Sequence, residues 1–138
     1  MSTRLFAAGI AAATLGVLIT AAWLSPASEG HGTHLQLGMD ACQWAVRFGR
    51  PCPTCGMTTA FAYAANLQPL EAFKAQPMGA IGAIAFSVVF WISMHVAVFG
   101  SQIGRVVLSL IRPRVVWTTF ALLVAAWGYK IAIWKSGG

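Results

Sequence analysis

The sequence predicts an all-α integral membrane protein, with three transmembrane helices and short membrane-associated helices in the first connecting loop. Two observations carry that prediction. Hydrophobic residues make up 58% of the 138 and charged residues only 9%, against roughly 25% charge in an ordinary soluble domain. So few charges cannot cover a water-facing surface, so much of this surface meets lipid. The chain also holds three apolar runs of the length a bilayer demands. With a helical rise of 1.5 Å per residue and a hydrocarbon core about 30 Å thick, roughly 20 apolar residues suffice. Residues 1–138 read as a single membrane domain, with spans at about 5–24, 79–99 and 115–134 and a long loop at 25–78.

The first span, Leu5–Leu24, is uncharged, follows Arg4 and closes on Trp23. A basic start, an apolar core and the small residues Ser25-Pro26-Ala27 also describe a cleaved signal peptide. Signal cores run about 7–15 residues, so the longer run here is read as a retained span. Ala8, Ala12 and Gly16 fall four apart on one face, as do Gly79 and Ala83 on the second span. Small residues at that spacing let helices approach closely in lipid, although an alanine-rich helix produces the same spacing by composition. The two readings stand side by side; on the first, helix–helix association would be with a second copy or another membrane protein.

The second span, Gly79–Phe99, follows Pro77 and has His95 as its one ionisable group. Ionisable side chains inside spans are often functional. Imidazole loses its charge readily when desolvated, so His95 is expected to be neutral and hydrogen-bonded to a neighbouring helix. The third run is uncharged from Val115 to Tyr129 and continues past Lys130 to Trp134, with Trp117 and Trp134 as brackets. Trp favours the headgroup level.

Net charge is +6, from nine Lys and Arg against three acids. A nucleic-acid binder clusters its basic residues with aromatics on one face. Here they are scattered around apolar runs, so the lipid bilayer is the expected partner and nucleic acid is not. Orientation follows from weighting basic residues near span ends and in short loops. Arg105, Arg112 and Arg114 crowd the short second loop, whereas Arg47 and Arg50 lie far from either span. The N-terminus is therefore expected to be cytoplasmic, with loop 25–78, Lys130 and Lys135 on the exported side.

Loop 25–78 holds all three cysteines, two of the three histidines and all three acids. It opens on a polar, flexible-looking stretch, SPASEGHGTH. Asp40 is placed to cap a helix over Ala41–Phe48, which Gly49 ends. After RPCPTCG, the stretch MTTAFAYAANL reads as a helix. Pro69 opens a further helix, PLEAFKAQ, with Glu71 in its first turn, and Pro77 opens the second span. These helices are too apolar to stand free in water and are expected to lie on the membrane surface or dip into it, packed against the spans.

The chain carries no phosphate-cradling glycine loop, nucleophile elbow or paired carboxylates; Glu29, Asp40 and Glu71 are isolated. Any catalysis would be thiol-based oxidoreduction at the cysteines. Met57, Met78 and Met94 are too dispersed for a copper path. Cys52 and Cys55, spaced C-x-x-C, support three readings. The first is a metal knuckle, with zinc the natural ion and Cys42, Cys52, Cys55 and one of His31 or His34 as the four ligands a structural site requires. The second is a redox pair, because a helix start lowers a thiol's pKa and the thiolate is the reactive form, with Cys42 as resolving thiol. The third is structural, cysteine packing as a small hydrophobe while Pro53 and Gly56 shape the turn and Thr58 and Thr59 satisfy amides at the helix start. Arg47 and Arg50 flank the turn, where they would favour thiolate or meet lipid phosphate.

Residues Gly49–Gly79 resemble a family of small bacterial inner-membrane proteins known only as a domain of unknown function, with a C-P-x-C-G-x-T-[RT] signature. The signature falls here on Cys52, Pro53, Cys55, Gly56, Thr58 and Thr59, then Ala72 and Pro77. Many members carry Arg where this chain has Thr59, and His-Gly where it has Ala65-Asn66, so no role of those residues transfers. The resemblance implies a bacterial inner-membrane protein with a shared cysteine turn and names no reaction.

Overall fold

The computed structural model describes residues 2–110 and 112–134. These residues form helices and turns, with no strand among them. Seven α-helices follow in order among them: α1 Ser2–Trp23, α2 Gln43–Phe48, α3 Met57–Ala65, α4 Pro69–Ala75, α5 Pro77–Phe99, α6 Ile103–Leu110 and α7 Pro113–Ile133. Three stretches, within α1, α5 and α7, are long and apolar enough to cross a membrane. Each corresponds to an expected span, extended by two residues at its N-terminal end.

α1 and α5 form the main packing pair. The Arg4 guanidinium donates to the Val98 carbonyl at 2.6 Å, so the start of α1 meets the end of α5 and the two run antiparallel. Small side chains make the approach possible. The buried stripe of α1 is Ala7, Ala11, Thr14 and Ala21, spaced three, four or seven apart as a single helix face requires, and Leu24 just beyond it is buried too. The expected stripe of Ala8, Ala12 and Gly16 is exposed instead: the shared face is rotated by one residue. On α5 the expected pair is correct. Gly79 and Ala83 are buried, and a Cβ on Gly79 would stand 2.8 Å from the Ala60 Cβ.

The loop folds into a cap over the α1–α5 pair. α3 packs on α5, α4 and α1, and α4 packs on α5. Ala60, Ala72, Ala75 and Ala80 form its small core, flanked by Tyr63 and Ala64. Pro69 and Pro77 occupy the first turns of α4 and α5, where a missing amide hydrogen costs nothing because no intrahelical acceptor is available. Gly49 closes α2 in the left-handed conformation, donating to the Ala45 carbonyl.

Several local expectations require correction. Asp40 does not cap α2, which begins at Gln43 with Cys42 at the capping position and no side-chain bond. Thr58 and Thr59 do not cap α3, whose cap is the left-handed Gly56. The buried Thr59 hydroxyl pairs instead with that of Thr33 at 2.8 Å, and the Thr33 hydroxyl also accepts from the Ala27 amide at 3.0 Å. The stretch SPASEGHGTH is thereby ordered, running into a 3₁₀ helix at Thr33–Leu37. His95 is exposed and pairs with Ser101 in the following turn at 3.0 Å, not with a neighbouring helix. The short helix α6 occupies a second loop for which the sequence pattern predicts no element.

α7 is held mainly through its C-terminal third. Trp127 Nε1 donates to the Pro51 carbonyl at 3.0 Å. Lys130 Nζ donates to the carbonyls of Gly30 at 2.9 Å and Ala75 at 2.8 Å, and Trp134 packs on His31 with ring centroids 4.4 Å apart. The end of α7 and loop 25–78 therefore share one end of the helical assembly, while Arg4 and the turn after α5 share the other. Lys130, expected on the exported side, is 3% exposed; Lys135 lies outside the described residues.

Candidate metal centre

The turn before α3 brings the cysteines together. The Cys55 amide donates to the Cys52 carbonyl at 3.0 Å and the Met57 amide to the Thr54 carbonyl at 3.1 Å. These consecutive tight turns fold both sulfurs toward one side. Gly56 is required at the end of the turn. Its φ is +86°, and a Cβ there would lie 2.5 Å from the Gly30 carbonyl oxygen and 3.0 Å from Lys130 Nζ. Cys42 arrives from a different segment, at the start of α2. The Cys42, Cys52 and Cys55 sulfurs all lie within 4.8 Å of one another.

The three sulfurs differ in environment. Cys42 donates to Cys52 Sγ at 3.6 Å, and Thr54 Oγ1 lies 3.3 Å from the same sulfur. Burial pushes the Cys52 thiol up, but the hydrogen bonds from Thr54 and Cys42 outweigh it, so this thiol lies below its ordinary value. Cys55 is buried. Burial pushes its thiol up to about 12, with the neighbouring Cys52 and Cys42 sulfurs adding to the rise. Cys52 is thus readier than Cys55 to carry negative charge, and a bound cation would favour loss of the Cys55 proton.

Neither His31 nor His34 belongs to the cluster. His31 Nδ1 donates to the Glu29 carbonyl at 3.0 Å, and its ring lies against Trp134; His34 sits on the 3₁₀ helix. Sequence reasoning missed three groups around the turn. The carbonyl of buried Pro51 receives Trp127, and Lys130 abuts Gly56. Gln76, fully buried, donates from Nε2 to the Pro53 carbonyl at 3.1 Å, while its Oε1 has no hydrogen-bond partner among the described residues. Only the last had a local signal, a polar residue between Ala75 and Pro77.

The arrangement is a three-thiol cluster with one acidified sulfur, clamped by a span and by the cap helices. It can coordinate a soft metal ion or form a disulfide. Residues 42–91 match a family model described as a protein of unknown function (DUF2752). That match covers about a third of the chain, includes all three cysteines and ends within α5. No curated protein and no solved structure matches the chain.

Proposed function

We propose that the chain is a membrane-anchored metal-binding protein whose Cys42, Cys52 and Cys55 thiolates hold a thiophilic ion, zinc in the first instance. The observation that carries this reading is the convergence of three sulfurs, from two separate segments, within 4.8 Å of one another. Tetrahedral zinc at about 2.3 Å from each sulfur sets the sulfurs about 3.8 Å apart, and the 3.6 Å Cys42–Cys52 contact already fits. Three protein ligands leave the fourth position open, which is the pattern of sites that exchange a water, a substrate or a donor from a partner. On this reading the chain sits in a bacterial inner membrane, with its arginine-bearing second loop inside and the cysteines on the exported side. The ion would lower the proton affinity of Cys55 directly, since a coordinating thiol is held deprotonated.

The test is metal analysis of the purified full chain. About one zinc per chain or per dimer is expected. Cobalt substitution should produce thiolate-to-cobalt charge-transfer bands that vanish in Cys52→Ser. Metal-free wild-type protein with three freely alkylated thiols after zinc loading would rule the reading out. The short Cys42–Cys52 contact also favours a second reading, a thiol–disulfide couple in which two thiols give two electrons and two protons to an acceptor. It predicts a Cys42–Cys52 disulfide in cells, trapped by alkylation and mass spectrometry. Cysteines always recovered as free thiols would eliminate it.

A further inference from the structure

A cavity of about 460 Å³, lined by no cysteine, opens beside the C-terminal end of α7. Lys130 in its wall is 3% exposed. An ammonium carries three donors, and two are spent on the Gly30 and Ala75 carbonyls. No carboxylate among the described residues lies within ion-pairing distance of it, and Cys55, whose charge would bear on it, is held protonated in the metal-free protein, so there the cation is desolvated and has one N–H to offer. A buried charge without an opposite charge is costly, and an anionic oxygen in the cavity would offset it.

The cavity also carries two carboxylates. Glu71 is closed onto Lys74 at 2.6 Å. Glu29 is 72% exposed, and its one charged neighbour among the described residues is His31 at 3.9 Å, a partner only when protonated. Glu29 is therefore available for a cation. The two charges are ordered by depth. Lys130 lies inside the third apolar helix, one turn before Trp134, whose indole belongs at the headgroup level. Glu29 lies in the loop, six residues beyond the end of α1.

We propose that this cavity binds a zwitterionic phosphate–amine group, with a phosphate oxygen accepting from Lys130 and the amine resting on Glu29. The polarity, cation toward the membrane and acid toward water, matches a phospholipid headgroup, whose phosphate is attached to the buried glycerol and whose amine points outward. A soluble phosphoethanolamine has the same chemistry, and the experiment separates the two sources.

The full chain is reconstituted in nanodiscs of equal phosphatidylethanolamine and phosphatidylglycerol, and retained lipid is read by native mass spectrometry after detergent extraction. Thermal unfolding of detergent-purified protein is followed with and without phosphoethanolamine. Wild type is expected to retain phosphatidylethanolamine at least tenfold over phosphatidylglycerol. Glu29→Gln should bring the two lipids near parity, and Lys130→Met should lose both, with Lys130→Arg restoring the phosphate contact. Because Lys130 also ties two loop segments to α7, Glu29→Gln carries the test if Lys130→Met does not fold. Stabilisation by phosphoethanolamine without lipid preference, abolished in Glu29→Gln, supports the same site with a soluble ligand. A wild type with no preference and no stabilisation, a preference for phosphatidylglycerol, or a preference unchanged in Glu29→Gln overturns the proposal.

Discussion

Gly56 shows how one residue couples the cysteine turn to the rest of the molecule. Its left-handed backbone costs a side-chain-bearing residue roughly 1–2 kcal/mol by itself. The added Cβ would also press on the Gly30 carbonyl, 2.5 Å away, and that carbonyl is one of the two that hold Lys130. Gly56→Ala should therefore destabilise the protein by about 2 kcal/mol or more, seen as a lower midpoint in chemical denaturation in detergent. Gly38→Ala, also left-handed but with open space around its Cβ, should show only the backbone share of about 1–2 kcal/mol. Equal losses at the two positions would mean that the Gly30 contact contributes nothing. The cysteines make a second prediction at this scale. In metal-stripped protein, a thiol held at about 12 is ionised to about one part in ten thousand at pH 8. Cys52, held below its ordinary value, is ionised far more. Iodoacetamide at pH 8 should modify Cys52 well before Cys55. Raising the pH should level off the Cys52 rate first, while the Cys55 rate keeps climbing through pH 11. Site-resolved mass spectrometry reads both rates, and faster labelling of Cys55 at pH 8 would contradict the assignment.

Among elements, the interface between α1 and α5 separates what the sequence makes legible from what it does not. Length and apolar content suffice to find all three long helices, because a soluble fold rarely sustains an uncharged run of bilayer length. Prolines and glycines mark most ends of the loop helices, since Pro69, Pro77 and Gly49 act through their own backbone geometry. Which face of α1 is buried is not legible, because almost every residue there is small or apolar and the choice depends on α5. The stripe is consequently displaced by one residue, from Ala8 and Ala12 to Ala7 and Ala11. The same limit applies at the site. The local turn makes Cys52 and Cys55 adjacent, and the short stretch of chain back to Cys42 allows that residue to join them. Lys130 meets Gly30 across a sequence separation of 100, which no local pattern encodes. Caps fail for a related reason: Thr59 is drawn to Thr33 by burial, and its hydroxyl is unavailable to the helix start. The displaced stripe is testable. Ala11→Leu, at a position 4% exposed, should force the helices apart at a cost of about 1–3 kcal/mol. Ala12→Leu on the exposed face should change stability by no more than about 0.5 kcal/mol. Thermal unfolding in detergent distinguishes them, and the reverse order would restore the face expected from spacing alone.

Across the whole molecule, the three long helices are not equivalent partners. α1 and α5 are held along their length and covered by α3 and α4, whereas α7 contacts α5 only slightly and is fastened by polar groups near its C-terminal end. Trp127, Lys130 and Trp134 reach three separate parts of the loop: the Pro51 carbonyl, the Gly30 and Ala75 carbonyls, and the His31 ring. One of those contacts falls immediately beside the cysteine turn, at Pro51 before Cys52, and the Lys130 ammonium lies against Gly56 after Cys55. The third long helix thus acts as a clamp on the cluster more than as a wall of the helical pair. Loosening the clamp should expose the sulfurs before it unfolds the α1–α5 pair. Trp127→Phe keeps an aromatic ring and deletes the N–H donor, leaving the Pro51 carbonyl without that partner, at a cost of about 1–3 kcal/mol. If this cost is felt as local opening, a loss of about 1.4 kcal/mol raises the open fraction tenfold. Alkylation of buried Cys55 should then accelerate by about tenfold or more, while the thermal midpoint of the helical signal moves by only a few degrees. A Cys55 rate that rises only in step with global unfolding would show that α7 and the α1–α5 pair open as one unit.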